Sequence, residues 1–153
     1  MLITSTAGSW QQQLSDLITD PTELLRILKL DTSQFDIPAD VLSSFPLKVP
    51  RAFVARMQPA DPADPLLAQV LPIGREVDDT PGYSLDPLSE ADFNPQAGIL
   101  HKYQGRVLVL AAPHCAVHCR YCFRRHFPYD AKVPGKTSWE QSLQWLQTQP
   151  QIR

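Results

Sequence analysis

Three cysteines in one short stretch are the residues of this chain most able to do chemistry. Cys115, Cys119 and Cys122 lie within CAVHCRYC, and the other positions of the 153-residue sequence hold no cysteine. Clustered thiolates bind soft metals, so the C-x3-C-x2-C spacing indicates either a zinc site or an iron–sulfur cluster. A set of three leaves the fourth ligand to be found.

Zinc is the first alternative for these thiolates. A structural zinc ion takes four ligands, usually supplied as two separated pairs. His114 or His118 could complete a Cys3His set. All four ligands would then come from one short turn, which crowds a single small ion.

A cubane iron–sulfur cluster is larger and carries its iron atoms at separate corners. One compact loop can reach three corners, with each thiolate binding its own iron. The fourth iron is then open to a small chelating molecule, which would turn an electron carrier into a catalyst. The spacing therefore favours a cluster, with zinc left as an alternative.

Positive charge surrounds the cysteines although the chain has a net charge of −2. Residues 1–92 carry 14 acidic and 6 basic side chains, whereas residues 93–129 contain no Asp or Glu. Such a window predicts a pocket for anions such as phosphates, carboxylates or an anionic cofactor. Its five basic residues are Lys102, Arg106, Arg120, Arg124 and Arg125.

The elements on either side of the cysteines predict a strand–loop–helix unit. Residues 106–112 form an apolar run between Gly105 and Pro113, typical of a strand buried on both faces in a parallel sheet. A capping box over 137–140 precedes an apolar stripe formed by Trp139, Leu143 and Leu146. Strand, loop and helix in this order begin a βα repeat, in which ligands bind at the C-terminal ends of strands.

Residues 1–58 predict short helices punctuated by proline. Trp10, Leu14, Leu17 and Ile18 share one face of a first helix. The stretch 20–23 combines Asp as N-cap, Pro at N1 and Glu at N3, ahead of a second helix. Further helices are expected after three more prolines, which are Pro38, Pro50 and Pro65.

Residues 59–97 are rich in proline and acid, with seven prolines and eight acidic residues between Pro59 and Pro95. Regular structure cannot run through such a stretch. It keeps apolar residues that could anchor it, so we expect an ordered segment that wraps a larger body. The anchors are Leu66, Leu71, Ile73, Tyr83, Leu85, Leu88 and Phe93.

The predicted strand and helix need neighbours to cover them, so we expect this chain to be the N-terminal part of a longer protein. No apolar run of about 18 residues is present, and the first residues lack a basic and apolar export signal. We therefore expect a cytoplasmic protein with reduced thiols and no membrane partner.

The cysteine motif, placed between a strand and a helix, resembles the signature of the radical S-adenosylmethionine enzymes. The stretches HKYQGRV (101–107), FRRHFPY (123–129) and DPLLAQVLP (64–72) are similar to the lysine 2,3-aminomutase group. FRRHFPY and DPTELLRILKL (20–30) are similar to its branch that serves β-lysylation of elongation factor P. The resemblance runs from about Trp10 onward and is densest over residues 98–129.

This resemblance implies an α/β fold in which a helical N-terminal region (1–58) and a wrapping segment (59–97) precede the start of a (β/α) radical-SAM barrel (98–153). It implies three cofactors: a [4Fe–4S] cluster, S-adenosylmethionine and pyridoxal 5′-phosphate. Cys115, Cys119 and Cys122 match the cluster ligands. The barrel would be truncated here.

The resemblance also assigns roles to the basic window. Lys102 and Arg106 match residues that bind the phosphate of pyridoxal phosphate, although the family more often has Arg at the first position. Arg124 matches the residue that holds the substrate carboxylate, where a forked donor suits the geometry. Arg120 and Tyr121 would lie beside the cluster and cofactors.

The implied reaction converts L-lysine into (R)-β-lysine by 1,2-amino migration, with the product used to modify elongation factor P. A reductant such as flavodoxin or ferredoxin would supply the electron, a homo-oligomer is left open, and no nucleic acid takes part. The family's glycine-rich segment for S-adenosylmethionine and its pyridoxal-binding lysine match nothing in these 153 residues. We therefore expect the chain alone to be inactive.

Two other classes of protein remain as alternatives. An iron–sulfur electron-transfer module would need a fourth ligand for its cluster. A Cys/His zinc module that binds nucleic acid would use the basic window, but the bases alternate with residues that look buried, and no aromatic platform is evident.

Overall fold

The computed structural model describes residues 9–112, 115–126 and 136–152, with side chains from residue 139 onward in the last segment. They divide into two compact units. The first unit joins the described part of Met1–Pro81 to Cys115–Arg125. The second joins the described parts of Gly82–His114 and His126–Arg153. Two-stranded sheets and short helices give the described residues an α/β composition.

The first unit is built from short helices around a minimal sheet. Strands β1 and β2 pair antiparallel, with Ile18 opposite Val49. Two 3₁₀ turns cover Thr32–Gln34 and Gly74–Val77. The elements in chain order are α1 (Trp10–Ser15), β1 (Leu17–Ile18), α2 (Pro21–Ile27), α3 (Ala39–Ser44), β2 (Val49–Pro50) and α4 (Arg51–Val54).

Helix α2 confirms the predicted start signal. The side chain of Asp20 accepts a hydrogen bond from the Thr22 amide at 2.9 Å, and Pro21 occupies the first helical position. An N-terminal proline loses no helical hydrogen bond, because the first amides of a helix have no partner within it. Leu24 and Leu28 face the core as expected. The helices expected after Pro38 and Pro50 are also present.

The first predicted helix is shorter than expected. Helix α1 ends at Ser15, and Leu17 and Ile18 form β1 instead of continuing the helical face. Trp10, at the start of that face, is 66% exposed, whereas Ile18 is fully buried. Pairing with β2 buries Ile18 more completely than a surface helix would, so tertiary contact overrides the helical periodicity.

The Asp64-Pro65 start signal is present, but residues 65–70 form turns and not a helix. The Asp64 carboxylate accepts hydrogen bonds from the Leu66 and Leu67 amides at 2.8 Å each and from the Gln58 amide at 2.8 Å. These bonds hold the start of the turns against the loop at residue 58. The cap works as predicted, whereas the helix that it was expected to start does not form.

One hydrophobic core fills the first unit. It draws on α2, the β1–β2 pair, α4 and the turns after Asp64, because each of these short elements buries only a few apolar side chains. Its buried members are Ile18, Leu24, Leu25, Leu28, Leu47, Val49, Val54, Met57, Leu67, Val70 and Leu71.

Trimming this core at Ile18 is expected to cost little but measurable stability. Ile18→Val removes one buried methylene, so the free energy of unfolding should fall by about 1 kcal/mol. Ile27→Val is the matched control, because Ile27 is 41% exposed and should change by less than about 0.5 kcal/mol. Urea unfolding followed by circular dichroism measures both. Equal losses would contradict the assignment of Ile18 to the core.

The second unit contains a 3₁₀ turn over Glu90–Phe93, strands β3 (Ile99–Tyr103) and β4 (Arg106–Val109), and helix α5 (Lys136–Gln147). The two strands form an antiparallel hairpin in which Leu100 lies opposite Leu108 and Tyr103 opposite Arg106. Gly105, in the connection, has φ of +80°, a conformation that favours glycine.

Strand β4 differs from the strand predicted over residues 106–112. It covers only Arg106–Val109, pairs antiparallel with β3, and alternates between exposed and half-buried side chains. Leu108 is 44% exposed, so the expected burial on both faces is wrong. The preceding segment supplies a partner through a short turn, which makes the local hairpin available. The described residues form no closed barrel, and the barrel stays a prediction.

Helix α5 is present where the sequence predicted a helix, beginning one residue before Thr137. The side chains of the proposed capping box at 137 and 138 lie outside the described residues. Ser142 is buried and donates to the Ala97 carbonyl oxygen at 3.1 Å, whereas Leu143 is 55% exposed. The predicted apolar stripe is therefore wrong at Leu143.

The proline- and acid-rich segment is ordered at only some of its predicted anchors. Leu71 is buried in the first unit, but Tyr83 is 85% exposed and Leu85 is 71% exposed. These two side chains anchor nothing among the described residues. No described helix has both the length and the hydropathy of a membrane span.

Candidate functional site

The cysteine loop belongs to the first unit, where all three thiols are free. Cys115 is exposed, and Cys119 and Cys122 are half-buried. The Cys122 amide donates to the Cys119 carbonyl oxygen at 3.0 Å, and the Arg125 amide donates to the Cys122 carbonyl oxygen at 3.1 Å. Two successive turns therefore carry the second and third cysteines.

The backbone of this loop is tied to the N-terminal segment that precedes it by about half the chain. The His118 amide donates to the Lys48 carbonyl oxygen at 2.9 Å, and the Arg120 amide donates to the Gln69 carbonyl oxygen at 2.7 Å. Val117 packs against the hydrophobic core. The loop is thus held at both sides of Cys119.

His118 faces the protein and not a free coordination position at both nitrogens. Its Nδ1 lies 2.9 Å from the Pro46 carbonyl oxygen, and its ring stacks on Phe45 with centroids 4.6 Å apart. Burial lowers the pKa of His118; the Pro46 carbonyl opposes this, while Lys48 and Arg120 lower it further. His114, the other histidine considered for zinc, lies outside the described residues.

A buried ion-pair cluster lies behind the loop, formed by Glu76, Arg120 and Arg125. Nε of Arg120 lies 2.9 Å from Oε1 of Glu76, and Nη2 of Arg120 also donates to Glu76. Nη1 of Arg125 lies 2.7 Å from Oε2 of the same carboxylate. Nη1 of Arg120 donates to the Phe45 carbonyl oxygen at 2.8 Å. One carboxylate therefore compensates two arginines of the acid-free window.

The ring of Phe45 completes this ion-pair cluster. The guanidinium carbons of Arg120 and Arg125 lie 4.9 and 5.2 Å from its centroid, within cation–π range. An aromatic face stabilises positive charge without adding a carboxylate, so the two guanidinium groups can share a small volume.

The pKa of Glu76 reflects two opposed effects. Burial raises it, but hydrogen bonds from Arg120, the Ile73 amide and Arg125 outweigh burial, so the pKa lies below the ordinary value of 4.5. A carboxyl with a lowered folded-state pKa stabilises the protein above its unfolded-state pKa, and this contribution is lost as pH falls through the folded value.

Acidification is therefore expected to narrow the stability difference between the wild type and Glu76→Gln. At neutral pH the variant lacks the compensating charge and should be less stable. Below about pH 4.5 the wild-type carboxyl begins to take up its proton, so the difference should shrink. Urea unfolding of both proteins at a series of pH values measures it. A difference that stays constant from pH 7 to pH 3 would contradict the ion-pair assignment.

Tyr121 lies on the exposed side of the loop and is 71% exposed. A hydrogen bond with Cys119 raises the pKa of the Tyr121 hydroxyl, and the nearby charge of Cys119 acts in the same direction. The hydroxyl also lies 3.5 Å from Oε1 of Gln69. Tyr121 thus contacts a candidate metal ligand directly.

Arg124 is half-buried, and its guanidinium carbon lies 5.0 Å from the centroid of the Phe123 ring. The structure brings Arg124 into the same unit as the three cysteines, Arg120 and Tyr121. Its role toward a substrate carboxylate stays a prediction.

Lys102 and Arg106 lie on the hairpin of the second unit, and both are exposed. Nζ of Lys102 donates to the Leu88 carbonyl oxygen at 2.6 Å and lies 5.4 Å from the Phe93 ring. The guanidinium carbon of Arg106 lies 4.7 Å from the Tyr103 ring. One hairpin thus carries both residues predicted for phosphate, and their binding role stays a prediction.

Glu76 and Phe45 are the residues of this site that sequence reasoning missed. The acid-free window offered a signal, because two buried arginines need a compensating charge. The partner nevertheless lies 44 residues before Arg120 and 49 before Arg125, outside any local motif.

The donors of the loop suit an iron–sulfur cluster. Three unpaired thiols on one loop provide the soft ligands that such clusters require, and no disulfide consumes them. Over residues 9–112, 115–126 and 136–152, no three His, Cys, Asp or Glu side chains are grouped to hold a metal ion.

Comparison with known proteins finds relatives that match nearly the whole chain, although no protein-family model matches it. The L-lysine 2,3-aminomutase of Escherichia coli (strain K12) is 43% identical over 152 residues, which cover 99% of this chain and 44% of that protein. That of Haemophilus influenzae (strain ATCC 51907 / DSM 11121 / KW20 / Rd) is 40% identical over 144 residues, which cover 94% and 43%. The chain thus spans less than half the length of these relatives.

A relative with a different printed substrate is more distant. The glutamate 2,3-aminomutase of Clostridioides difficile (strain 630) is 26% identical over 147 residues, which cover 95% of this chain and 35% of that protein. Aminomutases named for two different amino acids are therefore similar to this chain, with higher identity on the lysine side.

Proposed function

This chain belongs to the lysine 2,3-aminomutase family, and we propose that it carries the cluster-binding part of a radical S-adenosylmethionine isomerase acting on L-lysine. The observation that carries the proposal is the 43% identity over 99% of the chain to a protein named L-lysine 2,3-aminomutase. The three free thiols on one anchored loop support it. The product would be (R)-β-lysine.

In this proposal Cys115, Cys119 and Cys122 hold three irons of a [4Fe–4S] cluster, and the fourth is left for S-adenosylmethionine. Cluster, S-adenosylmethionine and pyridoxal phosphate together supply the radical chemistry for 1,2-amino migration. The protein supplies the positions of these groups. The turns at Cys119 and Cys122 present two thiolates from backbone that is hydrogen-bonded to itself.

The basic side chains are proposed to bind the anionic groups of cofactor and substrate. Lys102 and Arg106 would bind the phosphate of pyridoxal phosphate, because cations form charge-assisted hydrogen bonds with phosphate oxygens. Arg124 would hold the carboxylate of lysine. Arg120 and Tyr121 would lie beside the cluster, and the contact of Tyr121 with Cys119 supports this.

Lysine is proposed over glutamate because relatives named for lysine reach 43% and 40% identity, against 26% for the one named for glutamate. Use of β-lysine to modify elongation factor P rests on the resemblance of residues 20–30 and 123–129. A cytoplasmic location and an electron donor such as flavodoxin or ferredoxin complete the proposal. Free cysteines are compatible with a reducing compartment.

Anaerobic reconstitution tests the proposal directly. The chain is treated with iron and sulfide, and its absorption and electron paramagnetic resonance spectra are recorded with and without S-adenosylmethionine. We expect a brown protein with about four irons per chain whose spectrum changes when S-adenosylmethionine is added. Lysine, glutamate and pyridoxal phosphate are then added, and products are identified by mass spectrometry.

Each outcome separates the candidate functions. A cluster whose spectrum ignores S-adenosylmethionine would favour the electron-transfer module. A colourless protein with one zinc would favour the zinc module. Because the chain spans 44% of the relative's length, we expect cofactor binding without lysine turnover by this chain alone. Measured formation of β-lysine by it would contradict that expectation.

A further inference from the structure

We propose that Glu76 is a positioning residue for the candidate cluster, acting through Arg120 and Arg125 to hold Cys119 and Cys122 at a set separation. This inference rests on the proposed function of the cysteine loop. Glu76 lies in the 3₁₀ turn Gly74–Val77, far from the cysteines in sequence.

The first support is the burial and convergence of the three charged groups. The side chains of Glu76, Arg120 and Arg125 are 10%, 7% and 13% exposed. Both oxygens of the carboxylate accept from Nε of Arg120, at 2.9 and 3.1 Å. Nε of Arg125 is buried without a hydrogen-bond partner within the described part of the chain. Water therefore has little access to these charges, and the carboxylate is their local compensation.

The second support is the position of the two arginines along the loop. Arg120 directly follows Cys119, and Arg125 follows Cys122 by three residues, in the turn closed by its own amide. The same carboxylate thus binds one residue beside each of the two half-buried cysteines. A shift of either arginine would move the backbone that carries its neighbouring thiol.

The third support is that Glu76 is itself held in place. The Ile73 amide donates to its Oε1 at 3.0 Å, and the Gly74 amide donates to the Asp36 carbonyl oxygen at 3.0 Å. A Cβ on Gly74 would approach Oδ2 of Asp36 to 2.4 Å, so the turn packs closely on this segment. The carboxylate is therefore presented from an anchored turn.

The two roles that Glu76 could have make different predictions for the three thiols. If it stabilises the unit only in general, its loss should expose all three cysteines alike. If it positions the stretch between the arginines, Cys119 and Cys122 should respond and Cys115 should not. Cys115 precedes that stretch and is already exposed.

The test is the alkylation rate of each thiol in the metal-free chain, measured by mass spectrometry of peptides. Glu76→Gln keeps the size of the side chain and removes its charge. We expect Cys119 and Cys122 to react about tenfold faster in this variant, with Cys115 changed less than about twofold. Glu23→Gln is the matched control, since it removes a carboxylate that pairs with Arg51 on the surface of the same unit.

A double variant shows whether Glu76 acts through its arginine partner. Combining Glu76→Gln with Arg125→Gln removes one of the uncompensated buried charges. Its effect on the two alkylation rates should be smaller than the product of the single effects, as expected for interacting residues. Multiplicative effects, or an equal rise at all three cysteines, would overturn the proposal. That holds even if Glu76→Gln unfolds the chain, because unfolding raises all three rates.

Iron and sulfide reconstitution supplies a separate result. If the wild type binds a cluster, Glu76→Gln should bind it about 10- to 100-fold less tightly, the range found when groups that orient metal ligands are removed. Cluster affinity equal to that of the wild type would overturn the positioning role. If the wild type binds no cluster, the proposed function fails, while the alkylation rates still decide the role of Glu76.

Discussion

Replacing Cys119 with serine is expected to abolish cluster assembly in the reconstituted chain. The iron content should fall from about four per chain to near zero, with loss of the brown absorption, because a serine oxygen binds iron more weakly than a thiolate. Cys119 is only half-buried, so the fold should survive. Iron and sulfide analysis, with circular dichroism of the same samples, measures both results.

Ala116→Ser is the matched control for this substitution. It adds a hydroxyl to the same loop at an exposed position and keeps all three thiols. The control should bind as much iron as the wild type. Full iron and an unchanged spectrum in Cys119→Ser would show that Cys119 is not a ligand, whereas loss of iron in both variants would indicate a general effect on the loop.

Replacing Asp64 with alanine is expected to lower the free energy of unfolding by about 3 kcal/mol. Asp64 is 5% exposed and accepts three backbone hydrogen bonds, from Gln58, Leu66 and Leu67. The bond from Gln58 lowers the pKa of Asp64 most; burial opposes this, and the other two bonds add to the lowering. The carboxylate is therefore charged in the folded state, and its removal leaves the three donors without it.

Two further variants test this reasoning by urea unfolding. Asp64→Asn keeps an oxygen for Leu66 and Leu67 but presents an amide donor to the Gln58 N–H, so it should cost about half as much. Asp61→Ala removes a carboxylate that accepts one bond, from Ala63 at 2.9 Å, and should cost about 1 kcal/mol or less. If Asp64→Ala and Asp61→Ala are equally mild, the structural role given to Asp64 is wrong.

Residues that act on their immediate neighbours could be predicted from the sequence. The Asp20 cap with Pro21, and the Asp64 cap with Pro65, both form as expected because capping bonds span only two or three residues. The cysteine loop was also recognisable, since its spacing alone indicates the kind of donor. Residues farther away decide where these local signals end, which is why the turns after Asp64 do not become a helix.

The hairpin shows a different limit. An apolar run such as 106–112 is compatible with a strand in any sheet, and its composition does not say which strand will pair with it. Residues 99–103, joined through Gly105, provide the partner, and exposure of Leu108 follows from that pairing. The glycine in the connection was the available signal, and the strength of the apolar run outweighed it.

The sequence by itself determined the donor chemistry of the cysteine loop, the starts of α2 and α3, and the resemblance to lysine 2,3-aminomutases. These depend on residue type and short spacing, which a chain carries whether or not it is folded. Only the tertiary structure decided that Glu76 compensates Arg120 and Arg125 from 44 and 49 residues away. Burial excludes water from both guanidinium groups, so they require a nearby carboxylate, and any acidic residue that the fold could bring close would have met that need.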